Sequence, residues 1–295
     1  MLVRVFVTGA SGGIGSAVVS ELLTAGHQVV GLARSEAAAA TVDGLGAEPL
    51  RGDITDLDVL AKAAADADGI VYLAFSHDFS RAGDAIGDEA RALAALGDVL
   101  VDTGKALVLA GGTPATPGRP STEDDPFHTE GPMAGRGRTG RAVIDLATRG
   151  VRSAVVRLPR SVHDAGGRYG FASLLIQAAQ HSGVSAYVGD GRQRWPAVHR
   201  DDAATLFRIA VEQAPPGSVL HAVGDEGDSM RQIAEVIGRR LEVPVEAAAA
   251  ERFGPLGTIF AVDQPSSSAL TRRRFGWNPS GPGLLEDLET GVIPA

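Results

Sequence analysis

Cysteine is absent from this chain, and lysine is nearly so. None of the 295 residues is a cysteine, which excludes disulfides, thiolate nucleophiles and cysteine metal sites. The only lysines are Lys62 and Lys105, among 27 lysines and arginines together. No apolar run is long enough to span a membrane, and the first residues read as a strand rather than as a signal peptide. We therefore expect a cytoplasmic protein with no membrane partner.

Excess positive charge and metal-ligand spacing are also missing. The formal net charge of −9 argues against a nucleic-acid partner, because no basic surface is implied by the composition. The histidines are scattered, so no metal site is predicted. A hydrophobic content of 44% with 21% charged residues is ordinary for a globular enzyme. The length allows one large α/β domain, or one domain with a smaller lobe.

Strand and helix patterns alternate over the first half of the chain. The strand-like runs are Val3–Val7, Gln28–Leu32, Gly69–Ala74, Ala106–Ala110 and Arg152–Arg157. The helical runs between them include Ile14–Ala25, Asp56–Ala65, Arg91–Thr103 and Arg138–Thr148. This alternation predicts an α/β fold with a Rossmann-type, doubly wound parallel sheet.

The pattern loosens after Arg157. Glycine, proline and arginine become frequent, and shorter helices are predicted at Phe171–His181, Asp202–Gln213 and Met230–Leu241. We therefore predict a dinucleotide-binding domain at 1–160 and a smaller substrate-binding lobe mainly at 161–295. Some segments of the second part are expected to return to the first, with a ligand cleft between the two.

A glycine-rich turn joins the first strand to the first helix. Gly9, Gly12 and Gly15 follow the strand at three-residue spacing. The first allows the tight turn, the second a close approach of the backbone to a pyrophosphate, and the third close packing of the helix on the sheet. The alternative is a flexible turn, but the position between strand and helix favours a dinucleotide. The predicted contacts are Gly9, Ser11, Gly12, Gly13, Ile14 and Gly15.

The end of the second strand distinguishes NAD from NADP. An acidic residue there would bind the ribose 2′-hydroxyl, but this strand ends in Ala33 and Arg34. The planar guanidinium of Arg34 can pair with a 2′-phosphate, although a surface arginine is the alternative. NADP(H) is therefore the predicted cofactor. Asp53 follows the third strand, where it can accept hydrogen bonds from adenine or cap the next helix.

Five segments resemble motifs of the extended short-chain dehydrogenase/reductases, the group that includes NAD-dependent epimerases and dehydratases. They are Thr8–Gly15, Gly52–Ile54, Tyr72–Phe75, Val198–Ala203 and Phe275–Pro279, and the resemblance extends over almost the whole chain. The resemblance implies an adenine contact by Asp53 and Ile54. It implies a nicotinamide-side position for Leu73, Ala74, Phe75 and Pro159. It also implies that a homodimer can form.

The resemblance further implies a catalytic hydroxyl after the fifth strand and a later Tyr-x-x-x-Lys pair. Thr113 falls at the first place and can donate to a substrate carbonyl, although a turn-forming threonine is the alternative. The second motif is missing. The three tyrosines are Tyr72, Tyr169 and Tyr187, and none has a lysine four residues later. The chain is therefore identified as an atypical member of the group.

Other residues could replace the missing acid. Counting along the chain puts Arg141 at the lysine position, where it can bind the nicotinamide ribose or be a surface arginine. His163 is the first candidate proton donor, because histidine transfers protons near neutral pH. Tyr169 is the second and a bound water the third. Three further residues could border the cleft, namely His77, Asp78 and Trp195.

Two classes of function fit these features. The first is an NADPH-dependent oxidoreductase that reduces a carbonyl or a conjugated enone of a small organic molecule, with epimerase or dehydratase chemistry as a variant that recycles the nicotinamide. The second is a sensor that binds NADP without turnover, suggested by the missing tyrosine. The sequence does not identify the substrate.

We predict that the protein binds NADPH more tightly than NADH. The reason is that Arg34 can pair with a 2′-phosphate, whereas no carboxylate is present to bind a 2′-hydroxyl. Titrations with each reduced nucleotide give the two Kd values, and equal affinities would contradict the assignment.

Overall fold

Strands and helices alternate as far as the sixth strand. The computed structural model describes residues 3–75, 82–131 and 134–294. The strands are β1 (Arg4–Thr8), β2 (Gln28–Ala33), β3 (Glu48–Arg51), β4 (Gly69–Tyr72), β5 (Ala106–Gly112), β6 (Arg152–Leu158), β7 (Ser161–His163), β8 (Ser185–Val188), β9 (Arg194–His199), β10 (Ser218–His221), β11 (Asp225–Ser229) and β12 (Val245–Ala248). The helices are α1 (Gly13–Thr24), α2 (Glu36–Gly44), α3 (Leu57–Asp66), α4 (Ala82–Leu100), α5 (Ala134–Asp145), α6 (Phe171–Ser182), α7 (Arg200–Gln213), α8 (Met230–Leu241), α9 (Gly257–Phe260), α10 (Ala269–Phe275) and α11 (Leu284–Thr290).

Seven of the strands in the described ranges form one sheet, in the order β10-β6-β5-β4-β1-β2-β3. β1 pairs in parallel with β2 on one side and with β4 on the other. Parallel pairing continues from β2 to β3 and from β4 to β5. The predicted doubly wound sheet is therefore confirmed. Since the chain moves outward from β1 in both directions, the carboxyl ends of β1 and β4 form the ligand-binding edge of such a fold.

Branched apolar side chains bury the central strands on both faces. Val5, Phe6 and Val7 of β1 are each 0% exposed, as expected for a parallel strand covered by helices. A core cluster formed by α3, α4 and the sheet includes Leu60, Ile70, Leu93, Leu96 and Leu107. This packing holds the ends of the strands, and therefore the loops that follow them, in fixed positions.

Tertiary contacts divide the chain into two compact units. The first contains Met1–Gly111, Pro126–Arg157 and Ala204–Leu220, and the second contains Gly112–Asp125, Leu158–Ala203 and His221–Ala295. Each unit is therefore assembled from three separate stretches of sequence. The division into a dinucleotide-binding domain at 1–160 and a substrate lobe mainly at 161–295 stays a prediction.

The second unit has two small sheets. β9 pairs antiparallel with β11 and parallel with β7, while β12 pairs in parallel with β8. Its apolar core includes Trp195, Ile233, Phe260 and Leu284. The indole of Trp195 is 0% exposed, so it is a core residue of this unit.

The structure differs from the predicted elements mainly at helix ends. The helix at Met230–Leu241 has the predicted bounds, and a capping box formed by Ser229 and Gln232 explains where it starts. By contrast, α4 begins at Ala82 rather than at Arg91, and α2 forms over an alanine run that the sequence left open as a helix or a loop. Both differences involve alanine- and glycine-rich segments, in which the apolar periodicity is weak. His77 and Asp78 lie outside the described residues.

We expect Thr271→Val to destabilise the fold. The N–H and the hydroxyl of Thr271 both donate to Oε1 of Glu123 at 2.6 Å, and both residues are buried. Valine keeps the shape but removes one donor from a buried carboxylate, a loss of about 1–3 kcal/mol. The midpoint of urea unfolding measures this effect. Thr41→Val on the exposed face of α2 is the control, and a shift no larger than the control's would contradict the expectation.

Candidate functional site

The glycine-rich turn leaves the start of α1 open to a ligand. Gly9 has a φ of +70°, and its carbonyl accepts a hydrogen bond of 3.0 Å from the N–H of Gly12. Gly12 then stands at the N-cap of α1 and has no side chain to cap the helix. The first N–H groups of the helix and its positive dipole end are therefore available to an anion.

Two glycines of this turn have no room for a side chain. A Cβ on Gly15 would lie 2.0 Å from the carbonyl oxygen of Gly9. A Cβ on Gly9 would lie 3.0 Å from the backbone N of Ala74, at a φ that side chains rarely adopt. Helix α1 therefore packs directly against the turn, and the turn packs against the chain that leaves β4.

The hydroxyl of Thr8 joins the glycine turn to the β4 exit. Its Oγ1 accepts hydrogen bonds from the N–H groups of Leu73 and Ala74, at 3.1 and 3.2 Å. Thr8 is 0% exposed, so these bonds form in the interior. The structure therefore brings together the predicted pyrophosphate contacts and two of the predicted nicotinamide-side residues.

The predicted adenosine contacts follow the neighbouring strands β2 and β3. Arg34 is exposed, and the N–H of Gly52 donates to the carbonyl of Ala33 at 3.2 Å, which links the two strand ends. Oδ1 of Asp53 accepts from the N–H and the hydroxyl of Thr55, at 3.1 and 2.9 Å. The two exits that carry Arg34 and Asp53 are thus neighbours.

Asp56, rather than Asp53, caps helix α3. Its Oδ1 accepts from the N–H of Val59 at 3.2 Å. The helix-cap role considered for Asp53 is therefore filled by Asp56. Of the two carboxylate oxygens of Asp53, only Oδ1 accepts hydrogen bonds among the described residues. Ile54, which follows it, is half-buried. The adenine contact of both residues stays a prediction.

An arginine that sequence reasoning did not single out lies at the exits of β4 and β5. Nε and Nη2 of Arg136 donate to the carboxylate of Glu89 at 3.1 and 3.0 Å, and Nη2 also donates to the carbonyl of Ala110 at 2.8 Å. Its guanidinium lies 4.1 Å from the centroid of the Phe75 ring. The sequence did not identify Arg136 as a site residue, because an arginine in a glycine- and arginine-rich segment carries no distinctive signal.

Arg141, the predicted cofactor arginine, lies on the exposed face of the same helix. Its side chain is 67% exposed and its Nε is 3.0 Å from Oδ1 of Asp145, one turn further along α5. This is the geometry of a surface i, i+4 ion pair. The role given to Arg141 stays a prediction, although its surroundings are those of a surface residue.

Burial dominates the electrostatics around Arg136. It raises the pKa of Glu89, and the charge and hydrogen bonds of Arg136 act in the opposite direction. Burial also raises the pKa of Tyr72, with a further contribution from Glu89. The phenol of Tyr72 is therefore neutral at physiological pH. Its hydroxyl has no hydrogen-bond partner within the described ranges.

In the second unit, Thr113 directly follows β5. It is held by a backbone hydrogen bond to Leu158 and by the side chain of Gln264. Its N–H donates to the carbonyl of Leu158 at 2.9 Å. Nε2 of Gln264 donates to the carbonyl of Thr113 at 2.5 Å and lies 3.4 Å from its hydroxyl oxygen. Thr113 is 5% exposed, and Pro159, next to Leu158, is also buried.

Arg160 lies behind Gln264 in the same network. Its Nη2 donates to Oε1 of Gln264 at 2.7 Å and its Nη1 to the carbonyl of Ile259 at 2.8 Å. The guanidinium also lies 4.8 Å from the ring centroid of Trp195. Burial lowers the pKa of Arg160 to about 10, so it stays charged at neutral pH. Among the described residues no carboxylate forms an ion pair with it.

The two predicted proton donors, His163 and Tyr169, meet at Asp287. Nδ1 of His163 lies 2.7 Å from Oδ2 of Asp287. The hydroxyl of Tyr169 lies 3.2 Å from the carbonyl of Asp287 and 2.9 Å from that of Val292, and donates toward both. His163 and Tyr169 are each 0% exposed.

Burial also determines the charge of these two groups. It lowers the pKa of His163, against the hydrogen bond with Asp287, and it raises the pKa of Tyr169. Both side chains are therefore neutral near pH 7 and enclosed by protein. Their roles as proton donors stay predictions, and their surroundings resemble those of packing residues.

Two late sequence motifs meet at Asp202. Its carboxylate accepts from the N–H groups of Ser280 and Gly281 at 3.0 and 2.8 Å. Its carbonyl accepts from the indole of Trp277 at 3.0 Å. These contacts tie the start of α7 to the C-terminal segment. Asp202 therefore acts in the architecture of the second unit.

The described parts of the chain contain neither a membrane-spanning helix nor a cluster of metal ligands. None of the helices there is long and apolar enough to cross a membrane. No group of three or more histidine, aspartate or glutamate side chains in those parts could hold a metal ion.

The profile of the NAD dependent epimerase/dehydratase family matches residues 5–223. The chain belongs to this family. Family members are NAD-dependent enzymes of the oxidoreductase type, so the predictions of the family and of an NAD(P)-dependent enzyme are confirmed. The residues present fit the dinucleotide, because the glycine turn is crowded at Gly9 and Gly15 and the start of α1 is uncapped.

Relatives share most of this chain's length. An uncharacterized protein of Schizosaccharomyces pombe is 43% identical over 97% of this chain and 98% of its own length. The 4-hydroxy-2-methyl-3-oxo-4-farnesyl-3,4-dihydroquinoline-1-oxide ketoreductase of Stigmatella aurantiaca is 30% identical over 73% of this chain and 66% of its own length. The structure of MoeE5 in complex with UDP-glucose and NAD has a TM-score of 0.74 at 21% identity, covering 98% of this chain and 97% of that one. At that identity the structural match shows the fold.

We expect Gly15→Ala in this family member to weaken NADPH binding at least about tenfold, or about 1.4 kcal/mol. The new Cβ would meet the Gly9 carbonyl at 2.0 Å and push α1 away from the turn. Gly44→Ala is the matched control, because a Cβ there has no heavy atom within 4 Å. Calorimetric titration with NADPH measures the effect, with circular dichroism to check folding. Equal affinities for the two variants would contradict the role of the turn.

Proposed function

We propose that this protein is an NADPH-dependent reductase that acts on a carbonyl or a conjugated enone of a small organic molecule. The observation that carries the proposal is the end of β2, where an exposed arginine stands in place of a carboxylate. That arrangement favours a 2′-phosphate, and NADPH is the nicotinamide cofactor that cells use mainly for reductions. The ketoreductase of Stigmatella aurantiaca, 30% identical, is a relative with reductase activity in its name.

The proposal assigns the cofactor contacts to four segments of the first unit. The glycine turn from Gly9 to Gly15 would hold the pyrophosphate, Arg34 the 2′-phosphate, and Asp53 with Ile54 the adenine. Leu73, Ala74 and Phe75 would lie along the nicotinamide half. The bound cofactor would supply a hydride to a carbon atom of the substrate.

Thr113 is proposed to bind the substrate oxygen. Gln264 donates toward its hydroxyl oxygen, so the hydroxyl hydrogen remains available for donation to a carbonyl. The guanidinium of Arg160 bonds to the amide oxygen of Gln264 and polarises that amide. Thr113 would therefore donate a hydrogen bond that strengthens as negative charge develops on the substrate oxygen.

The enclosed positions of His163 and Tyr169 favour an enone over a simple ketone. In conjugate reduction the hydride adds to a carbon remote from the oxygen, so a hydrogen bond from Thr113 stabilises the developing enolate without immediate protonation. A water molecule could then deliver the proton. His163 and Tyr169 remain alternative donors. A cytoplasmic location and a homodimer also remain predictions.

The second candidate is epimerase or dehydratase chemistry with recycled nicotinamide. The family match favours it, and MoeE5 forms a complex with UDP-glucose and NAD. The absent Tyr-x-x-x-Lys pair argues against it, because that tyrosine is the usual base in such reactions. A third candidate is a sensor that binds NADP without turnover.

We expect net oxidation of NADPH when the enzyme is mixed with a panel of ketones and conjugated enones. The enones are expected to react faster, and Thr113→Val is expected to reduce kcat at least about tenfold by removing one hydrogen-bond donor. The loss of reduced-nicotinamide absorbance measures turnover. Thr103→Val, which alters an exposed threonine, is the control.

Two other outcomes would decide against the reductase, and a third would decide only against the role of Thr113. Conversion of a nucleotide sugar with no net change in nicotinamide would support the epimerase or dehydratase candidate. Tight NADPH binding without turnover across the panel would support the sensor. Undiminished activity of Thr113→Val would remove Thr113 from the site.

A further inference from the structure

The Arg136–Glu89 pair holds one guanidinium in a single orientation. Two nitrogens of Arg136 grip the Glu89 carboxylate at 3.0 and 3.1 Å, and Nη2 also bonds to the carbonyl of Ala110. The face of the guanidinium lies 4.1 Å from the Phe75 centroid. A bidentate pair, a strand-end carbonyl and an aromatic ring thus fix this side chain.

Stability alone is a weak explanation for this pair. The Glu89 side chain is 1% exposed, and burying an ion pair carries a desolvation penalty that packed apolar residues would avoid. Burial accordingly raises the pKa of Glu89. The pair is therefore better explained by the position that it gives to the guanidinium.

One end of this guanidinium remains available. The printed bonds engage Nε and Nη2, whereas Nη1 has no partner in the described parts of the chain. The Arg136 side chain is 24% exposed. A positive charge with unused donors thus reaches the surface while its other nitrogens are anchored.

The sheet order shows which part of a dinucleotide would pass this charge. β1, whose turn would hold the pyrophosphate, lies between β2 and β4. Arg34 and Asp53 follow the strands on one side, while Phe75 and Ala110 lie at the strand ends on the other. Gly9 touches Ala74, so the turn continues directly into the Phe75 side. A ligand whose adenosine occupies the β2 side therefore extends its nicotinamide half toward Arg136.

We propose that Arg136 binds the nicotinamide half of NADPH. Its Nη1 donates to the oxygen atoms of the ribose in that half, and Glu89 holds it in place. This inference rests on the cofactor binding of the proposed function and is independent of the reaction catalysed. It assigns to Arg136 a contact that the sequence had suggested for Arg141.

Two ligands separate this role from a structural one. NADPH carries both halves of the dinucleotide, whereas adenosine 2′,5′-bisphosphate lacks the nicotinamide half. Calorimetric titrations measure both Kd values. We expect Arg136→Met to raise the Kd of NADPH at least about tenfold and to change the Kd of the bisphosphate less than about twofold. Arg136→Lys is expected to recover part of the NADPH affinity.

The controls lie on the same helix and in the same pair. Arg138→Met alters an exposed arginine of α5 and is expected to bind both ligands as the native protein does. Glu89→Gln keeps the shape of the side chain that pairs with Arg136 but removes its charge. It is expected to weaken NADPH binding selectively, by a smaller factor than Arg136→Met. Thermal unfolding followed by circular dichroism checks that each variant is folded.

Several outcomes would overturn the proposal. An unchanged NADPH affinity in Arg136→Met would contradict the proposed contact. Equally weakened binding of both ligands would indicate that Arg136 has a structural role. A selective loss in Arg141→Met instead would restore the sequence-based assignment. If the native protein binds neither ligand, this proposal and the proposed function both fail. If Arg136→Met selectively weakens NADPH binding but the native protein shows no turnover, only the reductase proposal fails.

Discussion

The close approach of α1 to the turn after β1 is the constraint on which the cofactor site depends. Only 2.0 Å would separate a Cβ of Gly15 from the carbonyl oxygen of Gly9, so the first turn of α1 can pack this close only with a glycine at position 15. This packing aims the uncapped N–H groups of α1 past the turn. The same turn touches Ala74, which ties the phosphate-binding feature to the next strand exit. Local crowding therefore determines both the binding surface and its continuation.

Parallel pairing extends this arrangement along one edge of the sheet. Because β1, β2, β3, β4 and β5 run in the same direction, their exits collect polar groups that are far apart in sequence. The hydroxyl of Thr8 and the carboxylate of Asp53 organise the backbone at two of these exits. The central strands contribute apolar residues to the core, while their ends carry the chemistry.

The two units stabilise their enclosed arginine side chains in different ways. In the first, Arg136 is paired with a carboxylate that is almost completely enclosed. In the second, Arg160 is stabilised by an amide, a carbonyl and an aromatic ring instead. Uncompensated burial destabilises a cation, which is why the pKa of Arg160 is lowered. Each arrangement keeps a positive group in a defined orientation, a property that enzymes use to stabilise developing negative charge.

The sequence by itself determined the sheet, the glycine turn and the family, because apolar periodicity and glycine spacing are local properties of the chain. It also showed that the Tyr-x-x-x-Lys pair is missing. Only the tertiary structure decided which arginine of α5 faces inward, since Arg136 is anchored to Glu89 whereas Arg141, five residues further along the same helix, is exposed. It likewise enclosed His163 and Tyr169 around Asp287, more than a hundred residues away. Such pairings depend on long-range packing, for which spacing along the chain carries no signal.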